Sequence, residues 1–402
     1  MKVTRLQTQA VHAGERKRGN RSVPVTTPIY NSSSFIYDDI RDLDKVFGRE
    51  IPGDSYARYT NPTNAALEEV VTALENGAGS LACSSGMQAL NTAILVALMD
   101  RRRVVLAANA LYGATINLLM KILEPAGVEV HFADFCDLEG LRRVAAEHRP
   151  GVLLMETVSN PLLRVAPLDQ VAAVARDAGA ALIVDSTFST PVVVRPLEWG
   201  AHMVVHSVTK YLSGHGDVLA GIVVSDEGHL EALRAYSRIT GPVLGPQESY
   251  LAMRGIKTFP LRMERQCQNA CRVASWLTQR PEVERVYFTG DPAHPDAATI
   301  ARLFTPGLTG AVVSFELKGA GREDVFDFMN RLKMIVPATS VGDVHSMMLY
   351  PTMSSHRELS PKHRERMGIR ENLVRLSTGI EAVEDITADL EQALIIKLGV
   401  NP

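Results

Sequence analysis

The 402-residue chain has few aromatic residues, no strong net charge and no long apolar run. Aromatic residues make up 6% of it, and the formal net charge of −3 offers no basic surface for nucleic acid or anionic lipid. No apolar run approaches the roughly 20 residues that a membrane-spanning helix needs. Residues 1–14 lack the apolar core of a secretory signal. We therefore expect a cytoplasmic protein without a membrane or nucleic-acid partner.

Cysteine is also scarce, and its spacing excludes the common zinc and redox motifs. The chain has 4 cysteines, none of them in a closely spaced pair of the metal-binding or redox type. Cys267 and Cys271 lie one helical turn apart and are predicted to be free thiols on a packed helix. Cys83 is predicted to be buried. The sequence predicts no metal site.

The chain divides into three regions of different character. Residues 1–60 are rich in Thr, Ser, Pro and Asn, which predicts an irregular arm that packs on another part of the protein or on a second subunit. Residues 61–245 predict a large domain, and residues 246–402 predict a smaller C-terminal α+β domain. A chain of this length can bury a core large enough for such a division.

In the large domain, short apolar strands alternate with helical segments. Strands are predicted at 104–107, 128–132, 152–155, 181–184, 203–205 and 221–224. Helices are predicted from Asn64, after Ser85, and around 114–124, 138–147 and 168–178. Continuous apolar strands alternating with helices predict an α/β fold with a mostly parallel sheet covered on both faces. Ligands of such sheets bind at the carboxyl ends of the strands. Asp185 and Lys210 each closely follow a predicted strand, so both are expected at that edge.

The C-terminal region has a different pattern. Helices are predicted at 246–254, 259–280, 322–332 and 383–397, and strands at 283–287, 310–315 and 373–377. Helices and strands that do not alternate regularly are typical of an α+β domain.

The most informative segment is 207–217, which reads SVTKYLSGHGD. The amine of Lys210 can condense with an aldehyde, and the hydroxyls of Ser207 and Thr209 can hold a phosphate. Asp185, at the end of an apolar strand, can pair with a pyridine nitrogen. Together these groups predict a site for pyridoxal 5'-phosphate (PLP), in which Lys210 binds the cofactor and moves protons. The competing interpretation of Lys210 is a surface lysine.

Two further segments fit this cofactor but also have a structural interpretation. Asp185 and Thr187 can hold the pyridine ring, or Asp185 can cap a following helix. Ser85, Gly86 and Met87 open a helix whose free backbone N–H groups can bind phosphate. Taken alone, that second segment is only a capped helix.

Four more residues are candidates on chemical grounds. The ring of Tyr112 can stack on a cofactor and its hydroxyl can protonate a leaving group, or it is a core tyrosine. Tyr56 and Arg58 lie on the arm, where arginine suits phosphate, although a loop arginine is ordinary. Arg375, in an apolar strand, can bind a substrate carboxylate or form a structural ion pair.

The chain resembles the PLP-dependent enzymes of cysteine and methionine metabolism, the trans-sulfuration family. Its members include cystathionine γ-synthase, cystathionine γ-lyase, methionine γ-lyase and the O-acylhomoserine sulfhydrylases. The resemblance covers almost the whole length, and several independent motifs occur in the family's order. These motifs lie at 11–15, 28–30, 56–58, 61–63, 84–87, 156–161, 207–217, 257–263 and 374–377.

The resemblance implies a PLP fold type I architecture and a homotetramer whose active sites are shared between paired subunits. It implies that Tyr56 and Arg58 reach the phosphate of the neighbouring subunit. It places Tyr112 over the cofactor ring, Asp185 at the pyridine nitrogen and Asn160 near the cofactor hydroxyl. It also implies that Arg375, Ser340 and Asn160 hold the substrate carboxylate, with Thr339 beside them.

Four positions depart from the family pattern. Ser186 follows Asp185 where an asparagine is usual, and Ala114 stands where methionine γ-lyases typically carry a cysteine. Thr339 and Ser55 stand where cystathionine-using members often have an acid. Without that acid, the distal ammonium of cystathionine lacks an obvious partner, and an unpaired buried charge is costly.

From these residues we expect γ-elimination (carbon–sulfur lyase activity) on methionine, homocysteine or cystathionine, giving a 2-keto acid, ammonia and a thiol. Lys210 moves the protons, Asp185 holds the pyridine nitrogen and Tyr112 is the general acid. The first alternative is γ-replacement on an O-acylhomoserine. A PLP aminotransferase and a catalytically silent binding protein also stay open.

Overall fold

A seven-stranded sheet with helices on both faces forms the larger part of the molecule. The structure is a computed structural model that describes residues 5–14, 23–358, 364–365 and 367–394. The strands of this sheet are β1 (Gly79–Cys83), β2 (Val104–Ala108), β3 (Glu129–Ala133), β4 (Val152–Glu156), β5 (Ala181–Asp185), β6 (Met203–Ser207) and β7 (Gly221–Ser225).

The strand order across the sheet is β1-β7-β6-β5-β4-β2-β3. Strand β7 pairs antiparallel with both β1 and β6, and the other pairings are parallel. The expectation of a mostly parallel sheet is confirmed. β4, β5 and β6 are buried except at their last residues, and His206 is the one polar residue before those ends, as expected for strands covered by helices on both faces.

Helices connect these strands and cover them. They are α3 (Pro62–Glu75), α4 (Gly86–Ala97), α5 (Gly113–Asn117), a π-helical turn (Leu118–Leu123), α6 (Leu138–His148), α7 (Leu168–Ala178), α8 (Thr190–Val193), a 3-10 turn (Pro196–Trp199), α9 (Glu227–Thr240), α10 (Pro246–Ile256) and α11 (Phe259–Leu277). Local sequence sets many of the ends. For α3, the Asn61 side chain accepts hydrogen bonds at the start, Pro62 follows it, and Asn76 adopts a left-handed conformation at the end.

A second, five-stranded sheet lies in the C-terminal part. Its elements are β8 (Val283–Tyr287), α12 (Ala297–Leu303), β9 (Val312–Leu317), α13 (Arg322–Arg331), β10 (Val336–Pro337), β11 (Met347–Leu349), β12 (Leu373–Ser377) and α14 (Val383–Leu394). The order is β10-β11-β12-β9-β8, and only the short β10–β11 pair is parallel. The predicted smaller α+β unit is confirmed.

Each sheet has its own hydrophobic core. The first core includes side chains of α10 and of α11 as far as Cys267, and the second begins at Ala270. Helix α11 therefore belongs to both cores. The predicted boundary between residues 245 and 246 stays a prediction.

The expectation of a wholly irregular arm is wrong, because the arm contains α1 (Leu6–His12) and α2 (Ile40–Phe47). No residue of α2 is buried within this chain, and Ile36 is 96% exposed.

All four cysteines are free thiols, Cys83 and Cys267 are buried, and Cys271 is exposed. No helix in the described ranges is long and apolar enough to cross a bilayer.

Arg262 of α11 ties this helix to the turn that carries Lys210. Its guanidinium donates hydrogen bonds to the carbonyls of Tyr211 (2.8 Å) and Leu212 (3.1 Å). Gly214 closes the same turn at φ +70°, and a Cβ there would overlap the Arg262 guanidinium. Glycine is needed at 214 both for its backbone conformation and for space.

We predict that Gly214→Ala destabilises the protein more than Gly179→Ala does. Both glycines have a similar positive φ (+70° and +67°), but a Cβ at 179 meets nothing within 4 Å. The control, Gly179→Ala, should lower the free energy of unfolding by about 1 kcal/mol because of backbone strain. Gly214→Ala should lower it by about 3 kcal/mol because overlap with Arg262 adds to that strain. Equal losses in melting temperature would show that Arg262 simply moves aside.

Candidate active site

Lys210 lies in the turn after β6, at the carboxyl edge of the large sheet. It is half-buried, and its Nζ donates a hydrogen bond to Ser340 Oγ at 2.9 Å. Burial, and secondly the positive charge of Arg375, lower the pKa of the Lys210 amine. The surface-lysine interpretation is wrong. A lysine with a lowered pKa can act as a nucleophile and as a base.

The N-terminus of α4 meets the end of β6 beside this lysine. A Cβ at Gly86 would overlap the side chain of Ser207, so the absence of a side chain at 86 allows the close approach. The Ser85 hydroxyl accepts a hydrogen bond from the Gln88 N–H at 3.1 Å. The capped-helix interpretation is therefore confirmed, and the N–H groups of Gly86 and Met87 lie in the first turn, where helical N–H groups can bind an anion.

The hydroxyls of Thr187 and Thr209 make backbone hydrogen bonds. Thr187 Oγ1 accepts from the Ser207 N–H at 2.9 Å. Thr209 Oγ1 accepts from the Ala220 N–H at 2.9 Å and donates to the Ala220 carbonyl at 3.1 Å. Both threonines thus fix the shape of the edge at which Lys210 lies.

Asp185 is the last residue of β5, and one of its oxygens accepts a hydrogen bond from the Thr187 N–H at 2.9 Å. Burial raises the pKa of this carboxyl, and the Thr187 hydrogen bonds oppose the rise. The helix-cap interpretation is wrong, because the next helix, α8, begins at Thr190 after Ser189.

Glu156 is a second acid of this edge, to which the sequence analysis assigned no role. It ends β4, and its Cα lies opposite that of Asp185 in the strand pairing. Its Oε1 accepts a hydrogen bond from the Tyr112 N–H at 2.6 Å. Burial and the neighbouring Asp185 hold the pKa of Glu156 well above its usual range. The signal was available, because Glu156 follows an apolar strand just as Asp185 does.

Tyr112 immediately precedes α5 and is 41% exposed in this chain. The core-tyrosine interpretation is therefore wrong. Its backbone is fixed by Glu156, and the following Gly113 packs so closely on the Ser355 carbonyl that a Cβ would overlap it. The Tyr112 side chain is thus carried by a fixed turn and remains accessible.

Arg375 projects from β12 of the small sheet and is 4% exposed. Its Nη1 donates to Asn160 Oδ1 at 2.7 Å and its Nη2 to the Ser340 carbonyl at 3.4 Å, while its buried Nε has no partner within the described ranges. Burial lowers the pKa of the guanidinium to about 10. Among the described residues no carboxylate forms an ion pair with Arg375, so the structural ion-pair interpretation is wrong.

His356 is a buried neighbour of Arg375 that the sequence analysis missed. Its Nδ1 is hydrogen-bonded to Ser355 Oγ at 2.8 Å, and burial, followed by the charge of Arg375, lowers its pKa to about 4. The ring is therefore neutral at physiological pH. A single histidine in a polar stretch carries no periodic signal, so the sequence offered no means of finding it.

The arm residues Tyr56 and Arg58 contact other arm residues and α9. Arg58 donates a hydrogen bond to the Arg238 carbonyl, and its guanidinium lies 4.8 Å from the Tyr59 ring centre and 5.6 Å from that of Tyr56. Tyr56 is 43% exposed. Thr339 is exposed beside Ser340.

The residues at this edge fit PLP. Lys210 supplies an amine with a lowered pKa, Asp185 a half-buried acid, and the start of α4 a set of N–H groups next to Ser207. An aldehyde, a pyridine nitrogen and a phosphate need these three kinds of partner. The orphaned Nε of Arg375 adds a donor suited to a carboxylate.

Comparisons with known proteins agree with this chemistry. Residues 7–395 match the sequence model of the family described as Cys/Met metabolism PLP-dependent enzyme. An L-methionine gamma-lyase of Fusobacterium nucleatum subsp. polymorphum is 41% identical over 392 residues, which cover 97% of this chain and 98% of the relative. An O-succinylhomoserine sulfhydrylase of Pseudomonas aeruginosa is 34% identical, covering 97% and 95%.

A solved structure is similar over the same length. It is a Campylobacter jejuni protein named for O-acetylhomoserine (thiol)-lyase activity, solved with N'-pyridoxyl-lysine-5'-monophosphate. The TM-score is 0.91 at 25% identity, and the match covers 97% of this chain and 100% of that one.

We predict that Arg375→Met raises the pKa of Lys210. The guanidinium disfavours the nearby ammonium, so its loss stabilises the protonated amine, and the pH at which Lys210 becomes reactive rises. Labelling of the cofactor-free protein with trinitrobenzenesulfonate, followed by peptide mapping across pH, measures this midpoint. Arg285→Met, at an exposed arginine, should leave it in place. An unmoved midpoint in Arg375→Met would mean that burial alone sets the Lys210 pKa.

Proposed function

Because the chain belongs to the family of Cys/Met metabolism PLP-dependent enzymes, we propose that it catalyses γ-elimination on methionine, homocysteine or cystathionine. From methionine and water the products are a 2-keto acid, ammonia and methanethiol. The observation that carries the proposal is the hydrogen-bonded chain from Lys210 through Ser340 to Arg375, which joins a proton-accepting amine to a carboxylate-binding guanidinium. The methionine gamma-lyase relatives supply the reaction type.

PLP, when bound, supplies an electron-withdrawing ring that stabilises negative charge at the substrate Cα. Asp185 would hold its pyridine nitrogen with Thr187 nearby, and Asn160 would face its hydroxyl. Its phosphate would lie at the start of α4, where Ser85 caps the helix, the Gly86 and Met87 N–H groups lie in the first turn and Ser207 approaches Gly86. We assign Thr209 to the same phosphate, although its hydroxyl bonds to Ala220 in this chain. These assignments are supported by the approach of Gly86 to Ser207.

Lys210 is assigned the proton transfers. Its lowered pKa favours the neutral amine, which can take the Cα proton of a bound substrate. Only after it has given that proton up is the amine neutral again and able to take the Cβ proton. Ser340 Oγ, 2.9 Å away, orients that amine. Arg375 contributes a second time, because its charge keeps the amine from holding a proton permanently.

Tyr112 is assigned the role of general acid toward the leaving thiol. Its turn is fixed by the Glu156 hydrogen bond, and its exposed side chain faces solvent in a single chain. A donor that remains accessible on a fixed backbone suits proton delivery to a group that must leave.

Arg375 and Asn160 are assigned to the substrate carboxylate, together with Ser340 and Thr339. The guanidinium is buried, carries no carboxylate partner in the described part of the chain, and has an unpaired Nε. Arginine binds carboxylates through two parallel hydrogen bonds. A bound amino acid would therefore satisfy a donor that the protein itself leaves unpaired.

The arm supports an assembly of paired subunits, which we propose to be a homotetramer. Tyr56, Arg58 and the exposed Ile36, Ile40 and Phe47 lie on a segment with little burial of its own. Apolar surface of this kind is typical of an interface. We assign Tyr56 and Arg58 to the phosphate of the neighbouring subunit.

We propose the cytoplasm as the location of the protein. Its four free thiols are compatible with that reducing compartment.

The alternative is γ-replacement on an O-acylhomoserine. The observation that favours it is the O-succinylhomoserine sulfhydrylase relative, aligned over nearly the whole chain. Methionine γ-lyases typically carry a cysteine at the position of Ala114, so Ala114 does not favour a strict methionine γ-lyase. Cystathionine-using members often carry acids at the positions of Thr339 and Ser55, so these two residues do not favour elimination from cystathionine. An aminotransferase rests on fold class alone.

The test is a product panel with the purified enzyme on methionine, cystathionine and O-acetylhomoserine plus cysteine. We expect 2-keto acid, ammonia and thiol from methionine or cystathionine. We expect Lys210→Ala to lose the visible cofactor band and the activity, while Lys318→Ala, at an exposed lysine, keeps both. Thiol adducts formed only from the acylhomoserine would establish replacement, and amino transfer without ammonia would establish an aminotransferase.

A further inference from the structure

We propose that Glu156 is the positioning residue that fixes the turn of Tyr112 beside Asp185, and that it does so as a neutral acid. This inference rests on the proposed function, since it gives a task to a residue next to the proposed cofactor site. Glu156 itself is assigned no contact with substrate.

The strand register brings the two acids together. Glu156 and Asp185 end neighbouring parallel strands, and their Cα atoms are directly paired. Paired residues on adjacent strands lie about 5 Å apart with side chains on the same face. Because the register is part of the buried sheet, the backbone positions of the two acids cannot separate without disturbing the core.

Glu156 also caps a helix that belongs to another part of the chain. Helix α5 begins after Tyr112, which provides no side-chain cap. Glu156 Oε1 accepts the Tyr112 N–H at 2.6 Å and so supplies the missing acceptor. On the other side, Gly113 packs against the Ser355 carbonyl. The turn is thus held between Glu156 and the 351–358 segment.

The charge distribution indicates which acid is neutral. Two adjacent carboxylates at half-buried strand ends repel each other, so one of them tends to keep a proton. In the described part of the chain no cation forms an ion pair with Glu156. Asp185 and burial raise its pKa, whereas the Tyr112 and Asn160 N–H groups and Arg375 only partly oppose them. A neutral Glu156 leaves Asp185 free to ionise opposite a pyridine nitrogen.

The protonation state can be measured without cofactor or substrate. We expect the infrared spectrum of the cofactor-free wild type at neutral pH to contain a carboxylic-acid carbonyl band that Glu156→Gln lacks. An unchanged carboxylic-acid region would overturn the neutral state. This readout does not depend on the reaction, so an enzyme without lyase activity would refute the proposed function and leave this inference intact.

The positioning role is tested by hydrogen exchange of the peptide that contains Tyr112. Glutamine has the shape of neutral glutamic acid and keeps an acceptor oxygen, so Glu156→Gln should exchange like the wild type and keep at least a third of kcat. Glu156→Ala removes the acceptor and should exchange at least tenfold faster, with kcat falling about tenfold and KM changing less. Equal exchange in the alanine and glutamine variants would overturn the role.

Independently, we propose a site for a divalent transition metal such as Zn²⁺ formed by Glu129, His131 and His148. The sequence predicted no metal site, because these residues are scattered along the chain. Glu129 and His131 lie two residues apart on β3, an edge strand, and so share a face. His148 is the last residue of α6. Two imidazoles and a carboxylate form a common zinc ligand set.

The three ligand atoms are already gathered, with His131 hydrogen-bonded to Glu129. His131 Nε2 lies 2.5 Å and His148 Nδ1 3.9 Å from Glu129 Oε1, and all three ligand atoms lie within 4.8 Å of one another. Tetrahedral zinc with bonds of about 2.0 Å separates its ligands by roughly 3.3 Å. The two rings are now stacked 3.5 Å apart, so binding requires a rotation of side chains that are a quarter exposed.

A further carboxylate faces the remaining nitrogen of one ligand. His148 Nε2 lies 3.8 Å from Glu147 Oε1. Carboxylates that hydrogen-bond the second nitrogen commonly orient metal-binding histidines, and Glu147 lies just beyond hydrogen-bond distance. The cluster thus has three ligands from two elements and an acid behind one of them.

Calorimetric titration of the holoenzyme with Zn²⁺ tests this site. We expect one ion per chain, with affinity lowered at least tenfold in both His131→Asn and His148→Asn. His345→Asn, at a histidine with 66% side-chain exposure elsewhere on the surface, should bind like the wild type. Unchanged affinity in either ligand variant would overturn the site and leave Glu129 as a shared hydrogen-bond partner of the two rings.

Discussion

Two acids at the ends of β4 and β5 cannot avoid each other, because the register of a buried parallel sheet pairs Glu156 with Asp185. In a site of low polarity only one of them can carry charge at modest cost. The site depends on this division. An ionised Asp185 suits a protonated pyridine, and Glu156 is left as a structural acceptor that holds the backbone of Tyr112.

The arginine of the site comes from the other sheet. Arg375 stands on β12 and reaches Asn160 of the large sheet's loops, while the Ser340 carbonyl and hydroxyl join Arg375 to Lys210. Burial, and secondly the charge of Arg375, lowers the pKa of both Lys210 and His356. The site therefore requires both sheets in place, and Arg262 secures the contact by binding the carbonyls of the lysine turn.

Much of this arrangement could be predicted before the structure was considered. The apolar strands β2 to β7 stand where the sequence placed them, within a residue or two at each end, because continuous Val, Leu and Ile runs are typical of strands buried on both faces. Strand β1 was not predicted, because its Gly79-Ser80-Leu81-Ala82-Cys83 sequence is small and weakly strand-forming. The arm helices were missed because they are only 7 and 8 residues long and lie in a stretch rich in Thr, Ser, Pro and Asn.

By itself the sequence determined the fold class, the family and the candidate residues around Lys210, since these depend on residue type, periodicity and order along the chain. Only the tertiary structure decided which of those groups meet. Residues that are distant in sequence meet in the pairing of Glu156 with Asp185 and in the hydrogen bond from Arg375 to Asn160. The burial of His356 likewise depends on the folded chain around it. The physical reason is that charge and burial depend on neighbours in space, whereas a sequence pattern records only neighbours along the chain.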